Sequence, residues 1–266
     1  MMVFQNKLLA DSIHSFSVWR VWLFLGLQDI KSRFRRSFIG PLWILLNMAF
    51  FVGGVGVVYG LMFGQPMREF LPFLTAGFVI WAFMVSSLTE SGSAFINAEG
   101  YIKQFSYPKQ IYLIRQLVVY TITLLIGFAA LIPVQLLFNR FSFEGWFLAI
   151  PGILLLLLGA LGHIVICAYL GTRFRDLPHA TGGVLQVLFF VTPIMFPVKL
   201  LRERHLDFVY QYNPLHYLID VVRHPILEGE FALPENYMFA GLYVIAVWLI
   251  AAMVAKRLDS RLVFLL

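Results

Sequence analysis

Four cations crowd the stretch Lys31-Ser32-Arg33-Phe34-Arg35-Arg36, directly before an apolar run that continues almost unbroken to Phe63. Arginine presents a planar fork of N–H donors that pairs bidentately with phosphate. Beside a membrane-length segment such groups lie at headgroup depth. Their chemistry is recognition of an anionic, lipid-linked substrate or, more plainly, a topology signal that touches only lipid phosphates. Glu90 stands among Ser86, Ser87, Thr89, Ser91 and Ser93 near the end of a second apolar run. Carboxylates in membrane segments mark substrate paths by default, although water is close at this end of the run. Trp43, Asn47, Phe50 and Gly54 share one face of the first run and could stack on sugar rings, with lipid or helix contact as the bland alternative.

Two further clusters carry chemistry. In the loop from Asn97 to Pro108, Asn97 is expected to cap a short helix that Pro108 ends, with Glu99 and Lys103 on it. Tyr101 and Phe105 are four apart and share a face, which suits the groove of a partner protein or a snug fit against the membrane surface. Farther on, Asn213-Pro214 reads as an N-cap followed by proline at the first helical position. His216, Tyr217, Asp220 and Arg223 follow it. His216 and Asp220 stand at i, i+4, the spacing of an acid–base pair and equally of an ordinary capped helix. There is no Gly-x-x-x-x-Gly-Lys-Ser/Thr phosphate loop, no metal-ligand spacing among the histidines and no Gly-x-Ser-x-Gly elbow. Any ATP-driven work therefore calls for another subunit.

The elements that position these residues follow from composition. Hydrophobic residues make up 60% of the chain and charged residues 13%, against about 45–50% and about 25% in a soluble domain. The expected fold is all-α and integral to a membrane, in a single domain over 1–266. A crossing needs roughly 20 apolar residues, and six segments qualify: 38–63, 70–94, 111–138, 147–171, 179–198 and 236–255. Prolines 133, 193 and 197 do not veto them, since neighbouring helices can satisfy freed backbone groups. Residues 11–32 mix Trp19, Trp22 and other apolar side chains with Arg, Gln and Asp, as an amphipathic helix in the interface plane does. Within the region 199–235, the stretch Phe208 to Val222 is apolar but too short to span and is interrupted by Asn213-Pro214, and two short helices dipping back from the outer surface fit it better. No cleavable signal peptide is expected, because the first residues lack a continuous apolar core. The lone Cys167 cannot form an intrachain disulfide. His163 is expected to bond between helices, and Gly56, Gly60 and Gly64 to let helices pack closely.

Cytoplasmic flanks are enriched in Lys and Arg. Counting these residues, Lys7 included, puts fourteen of the 20 on one side of a six-span chain, with both termini among them. Both termini are therefore expected in the cytoplasm.

The stretch Asp29-Ile30-Lys31-Ser32-Arg33-Phe34-Arg35-Arg36-Ser37-Phe38-Ile39-Gly40-Pro41-Leu42-Trp43 resembles the N-terminal motif of type-2 ABC exporter permeases that move polysaccharides. Tyr107-Pro108, Arg173-Phe174-Arg175-Asp176, Thr192-Pro193-Ile194-Met195-Phe196-Pro197 and Tyr212-Asn213-Pro214-Leu215 follow in that family's order. Phe34 departs from the Tyr often found there. The closest subgroup in appearance is the O-antigen permease of Gram-negative bacteria, with capsule and teichoic-acid permeases as near relatives. The resemblance implies a homodimer in the bacterial inner membrane. It also implies two copies of a separate ATPase that binds ATP and Mg, and a glycan on undecaprenyl pyrophosphate as substrate, with no nucleic acid involved and no cofactor in this chain. On it, Lys31, Arg33, Arg35, Arg36, Trp43, Phe50 and Glu90 line the substrate path. Asn97, Glu99, Tyr101, Lys103 and Phe105 meet the ATPase, and Asn213, Pro214, His216, Tyr217 and Arg223 form the outer gate. Two rival classes stand beside it. An integral-membrane transferase on lipid-linked sugars would use His216 and Asp220, and an ion-coupled transporter would need clustered intramembrane charges and inverted repeats that the sequence lacks.

Overall fold

The computed structural model describes residues 2–62, 64–105 and 107–266, with side chains from residue 10 onward. The side chain of Lys7, Phe63 at the end of the first predicted span and Ser106 in the Asn97–Pro108 loop lie outside what is described. The described chain is helical, without a strand. Two helices, α1 (Met2–Ser17) and α2 (Trp19–Phe34), precede α3 (Leu42–Met62) and α4 (Met67–Thr89). α4 runs on through a 3-10 turn at Glu90–Ser93 into α5 (Ala94–Asn97) and α6 (Glu99–Gln104). Then come α7 (Gln110–Leu137), α8 (Phe143–Leu148), α9 (Ile150–Arg173) and α10 (Leu177–Val191). The short α11 (Val198–Glu203) and α12 (Phe208–Gln211) lead to α13 (Pro214–Glu228), α14 (Pro234–Leu258) and α15 (Leu262–Leu265).

Five helical stretches are long and apolar enough to cross a bilayer: Leu42–Met62, Met67–Gln104, Gln110–Leu137, Phe143–Arg173 and Pro234–Leu265. The chain is thus a multi-pass membrane protein. The fifth of the six predicted spans differs. α10 has 15 residues and is about 22 Å long at 1.5 Å per residue, short of about 30 Å of hydrocarbon. It stops at Val191 rather than 198 because Pro193 supplies no N–H and the chain turns, with the Ile194 N–H donating to the Thr192 carbonyl. The single predicted interfacial helix is two helices that meet at Val18, whose ψ of 43° breaks the helical path. Ile13, Phe16, Trp19 and Phe24 are exposed along them.

The core lies where α4, α7, α9 and α13 meet, around Leu74, Ile80, Met84, Leu131, Ile164 and Leu218. Gly56 and Gly60 face Leu71 and Met67, so α3 approaches α4 as their spacing predicts. Gly64 does something else, sitting past the helix end at φ +60° in open space. Gly152 lies against the Val221 carbonyl, leaving no room for a side chain between α9 and α13.

Polar ties gather at two opposite ends of the long helices. One end holds Asp29–Arg115, Arg33–Glu90 and Lys109–Asp259. The other holds Glu69–Arg140 and the Gln135 amide, which donates to the Ile226 carbonyl and accepts from the Trp146 indole.

Candidate functional site

Three groups of predicted residues occupy three places in the structure. The first is the cationic junction. α2 is seated on α7 by Gly26, which fits against Val118 only because it lacks a side chain. It is fixed there by the Asp29 carboxylate, which accepts from both Nε and Nη2 of Arg115. This sets Lys31 and Arg33 in the last turn of α2, where the helix dipole favours cations, with Arg35 and Arg36 just past its end and all four exposed. Among the described residues only Arg33 of the four has a carboxylate partner, its Nη2 standing 2.7 Å from Glu90 Oε2. Glu90 Oε1 accepts from Ser86 Oγ at 3.2 Å. The chain then turns at Gly40, φ +62°, whose N–H donates to Ser37 Oγ, and enters α3. Trp43, Asn47 and Phe50 lie on the exposed face of α3, as their spacing predicts.

The second place is the loop after α4. Tyr101 and Phe105 stack with ring centroids 6.3 Å apart and 25° between planes. They are 45% and 51% exposed, with Tyr107 beside Phe105, so the pair is available to a partner. Lys103 Nζ donates to Glu99 Oε1, and this ammonium holds the Glu99 carboxyl below its usual 4.5. Asn97 does not cap the helix. The cap position belongs to Ala98, without a side-chain hydrogen bond, and Asn97 ends α5 instead. Ala98 holds the cap position because its carbonyl accepts the first α6 bond, from the Ile102 N–H, and its methyl side chain can accept nothing from the first N–H groups of the helix. The helix also ends at Gln104, well before Pro108. A contact that spacing did not reveal is the Arg115 guanidinium 5.9 Å from the centre of the Tyr101 ring. Arg115 thus joins α2, through Asp29, to the exposed aromatic pair.

The third place is a clamp between the end of α10 and the start of α13. Asn213 caps α13, its Oδ1 accepting from the Leu215 N–H, as the Asn-Pro pair predicts. The other half of the same amide donates to Thr192 Oγ1 at 2.8 Å. Arg223 is buried, and its Nη1 donates to the Pro193 carbonyl at 2.8 Å. Its guanidinium lies 4.0 Å from the centre of the Phe73 ring and 3.7 Å from Asp220 Oδ1. Burial of a charge is tolerable only with such partners. Asp220 in turn accepts from Asn236 Nδ2 at 2.7 Å. That carboxylate is therefore engaged by Asn236 and Arg223, and His216 packs between the Tyr210 and Tyr217 rings. Tyr217 is buried, with its hydroxyl donating to the Gln211 carbonyl. His163 bonds Tyr243 between α9 and α14 at 2.8 Å, the interhelical role expected of it.

An apolar cavity of about 650 Å³ opens beside the third place, with Asn213, Pro214 and Leu215 in its wall. Leu88, two residues before Glu90, also lines it, together with Leu188, Tyr212 and Tyr243.

A family model described as ABC-2 type transporter matches residues 20–227, which include all three places. The O-antigen export system permease protein RfbA of Myxococcus xanthus is 25% identical over 243 residues, 88% of this chain and 90% of its own. A protein of the same name from Klebsiella pneumoniae is 25% identical over 223 residues, 82% and 83% of the two chains. The polysialic acid transport protein KpsM of Escherichia coli is 21% identical over 227 residues, 83% and 86%. The family match runs over most of the chain and its relatives align along nearly their whole lengths, so this protein belongs to the ABC-2 type transporter family.

Proposed function

We propose that this chain is the membrane subunit of an exporter that moves a polysaccharide carried on undecaprenyl pyrophosphate, O-antigen foremost, across the bacterial inner membrane. The observation that carries this reading is the exposed cations Lys31, Arg33, Arg35 and Arg36, followed in the chain by the exposed Trp43–Phe50 face of α3. Guanidinium forks suit a pyrophosphate and aromatic faces suit sugar rings. The names of the relatives support the same cargo. A capsular polysaccharide is the second reading, favoured by the polysialic acid transporters among those relatives.

In this account two copies form the pore, and two copies of an ATPase hold ATP and Mg and dock on Tyr101 and Phe105. α10 and the turn after it complete a sixth crossing, and α11 to α13 dip back from the outer surface with the clamp at their deepest point. Both termini face the cytoplasm, in keeping with the cations concentrated at that end. The test is co-purification with the ATPase from the same cells, followed by ATP hydrolysis measured with and without lipid-linked glycan. Stimulation by the glycan is the expected result. An isolated chain with no ATPase partner, in a deletion strain that still exports, would contradict it.

A further inference from the structure

We propose that Glu90 is a stand-in for the substrate's phosphate. It occupies Arg33 while the junction is empty, and its displacement by a lipid pyrophosphate is the signal that loads the ATPase-facing segment. This rests on the reading of the cationic row as a pyrophosphate site.

The first support is selectivity of pairing. Lys31, Arg35 and Arg36 are exposed and have no ion pair among the described residues, whereas Arg33 Nη2 is 2.7 Å from Glu90 Oε2. Both side chains of that pair are nearly half exposed, 46% and 44%, so water and a competing anion can reach it. A pyrophosphate brings more negative charge than one carboxylate and can accept both donors of a guanidinium fork. Lys31, Arg35 and Arg36 are free to hold it while Arg33 changes partner. The released carboxylate keeps Ser86 Oγ as a donor, so displacement leaves it solvated and bonded.

The second support is where Glu90 sits. It opens the 3-10 turn that interrupts the helical run between α4 and α6, and such mid-helix turns mark hinges. The turn is gripped on two sides. Gly92 lies against Pro178 at the start of α10, and its carbonyl lies so close to Gly171 of α9 that a methyl there would collide with it. A change at Glu90 is therefore felt by α9 and α10 rather than absorbed by loose loop. In the other direction the chain passes through α5 into α6 and the Tyr101–Phe105 pair.

The third support is a second arm to the same ring. Arg115 ties Asp29 of α2 to Tyr101, so the helix that carries the cations reaches Tyr101 both through Arg115 and through Arg33, Glu90 and the turn. The two-state element is the Arg33–Glu90 contact itself, made or broken.

The test uses the permease–ATPase complex in nanodiscs, with undecaprenyl pyrophosphate as the probe. Both its binding and ATP hydrolysis are measured. Wild type should bind the lipid and hydrolyse faster with it. Glu90→Gln should raise the lipid-free rate about threefold, the scale on which a half-exposed ion pair shifts a two-state balance, and should lose further stimulation while still binding the lipid. Glu90→Asp, which retracts the carboxylate, should fall between. The exchanged pair Arg33→Glu with Glu90→Arg covers the case in which Glu90→Gln fails to assemble. It should restore a low lipid-free rate without a lipid response. A wild-type lipid-free rate and wild-type stimulation in Glu90→Gln, or a normal response in the exchanged pair, would overturn the switch while leaving the pyrophosphate site standing. Wild type that neither binds nor responds would remove the site, and the switch with it.

Discussion

Asn213 and Thr192 are joined side chain to side chain at 2.8 Å, in a buried contact that ties the start of α13 to the end of α10. One amide does two things there: its oxygen caps a helix and its nitrogen fastens that helix to its neighbour. The two functions can be separated. Thr192→Val keeps the cap and leaves the amide nitrogen unpaired, a loss of about 1–3 kcal/mol. Asn213→Ala removes the cap as well, adding about 0.5–2 kcal/mol. Thermal unfolding of the detergent-solubilised protein should therefore rank wild type above Thr192→Val and Thr192→Val above Asn213→Ala. In resting cells Asn213→Ala should also raise leakage of small solutes. Equal stability of all three would remove the clamp.

Arg223 anchors the same helix from its far half. Cutting it back to alanine leaves Asp220 with Asn236 alone and strands the Pro193 carbonyl, and breaking a buried pair from one side costs about 3–5 kcal/mol. Lysine keeps the charge but cannot both lie flat over Phe73 and reach Pro193. Arg223→Lys should thus lower the melting temperature nearly as much as Arg223→Ala. Recovery of wild-type stability by lysine would show that charge alone matters there.

Tyr101 and Phe105 make the third prediction. Truncating an aromatic interface anchor typically costs about 2 kcal/mol or more. Tyr101→Ala with Phe105→Ala should lose ATPase pull-down and export while the protein remains inserted at normal levels. Undiminished pull-down would place the ATPase elsewhere.

The fourth prediction is a flat pH profile for that docking. The Lys103 ammonium depresses the Glu99 carboxyl below 4.5. A depressed carboxyl contributes its stability above the unfolded value and loses it only as pH falls through the lower folded value. ATPase binding measured from neutral pH down to about 5 should not change through this pair. A midpoint within that window that Glu99→Gln abolishes would contradict the assignment.

How far the sequence could be read follows the range of each interaction. The long apolar runs, the Asn213 cap and the stacked Tyr101–Phe105 pair are local, set by residues within a turn or two, and the structure has them where spacing put them. The Val18 break and the Ala98 cap position are local too, but they turn on backbone geometry that composition does not encode. The early end of α10 was signalled by Pro193, yet Thr192 and Pro193 find their partners only from α13, far along the chain. Arg33–Glu90 and Asp29–Arg115 stand 57 and 86 positions apart in sequence, and Lys109–Asp259 and Arg223–Phe73 each 150. No periodicity points to such partners. Gly171 is similar, since nothing near it announces that Gly92 will press against its backbone.

The measurement that bears most directly on the account is export by the variant carrying lysine at positions 33, 35 and 36 together. Lysine preserves every charge that sets topology, but does not reproduce the guanidinium fork. If the row recognises pyrophosphate, this variant inserts normally, exports poorly and accumulates lipid-linked glycan on the cytoplasmic side. Full export at matched protein levels would reduce the row to a topology signal and contradict the account.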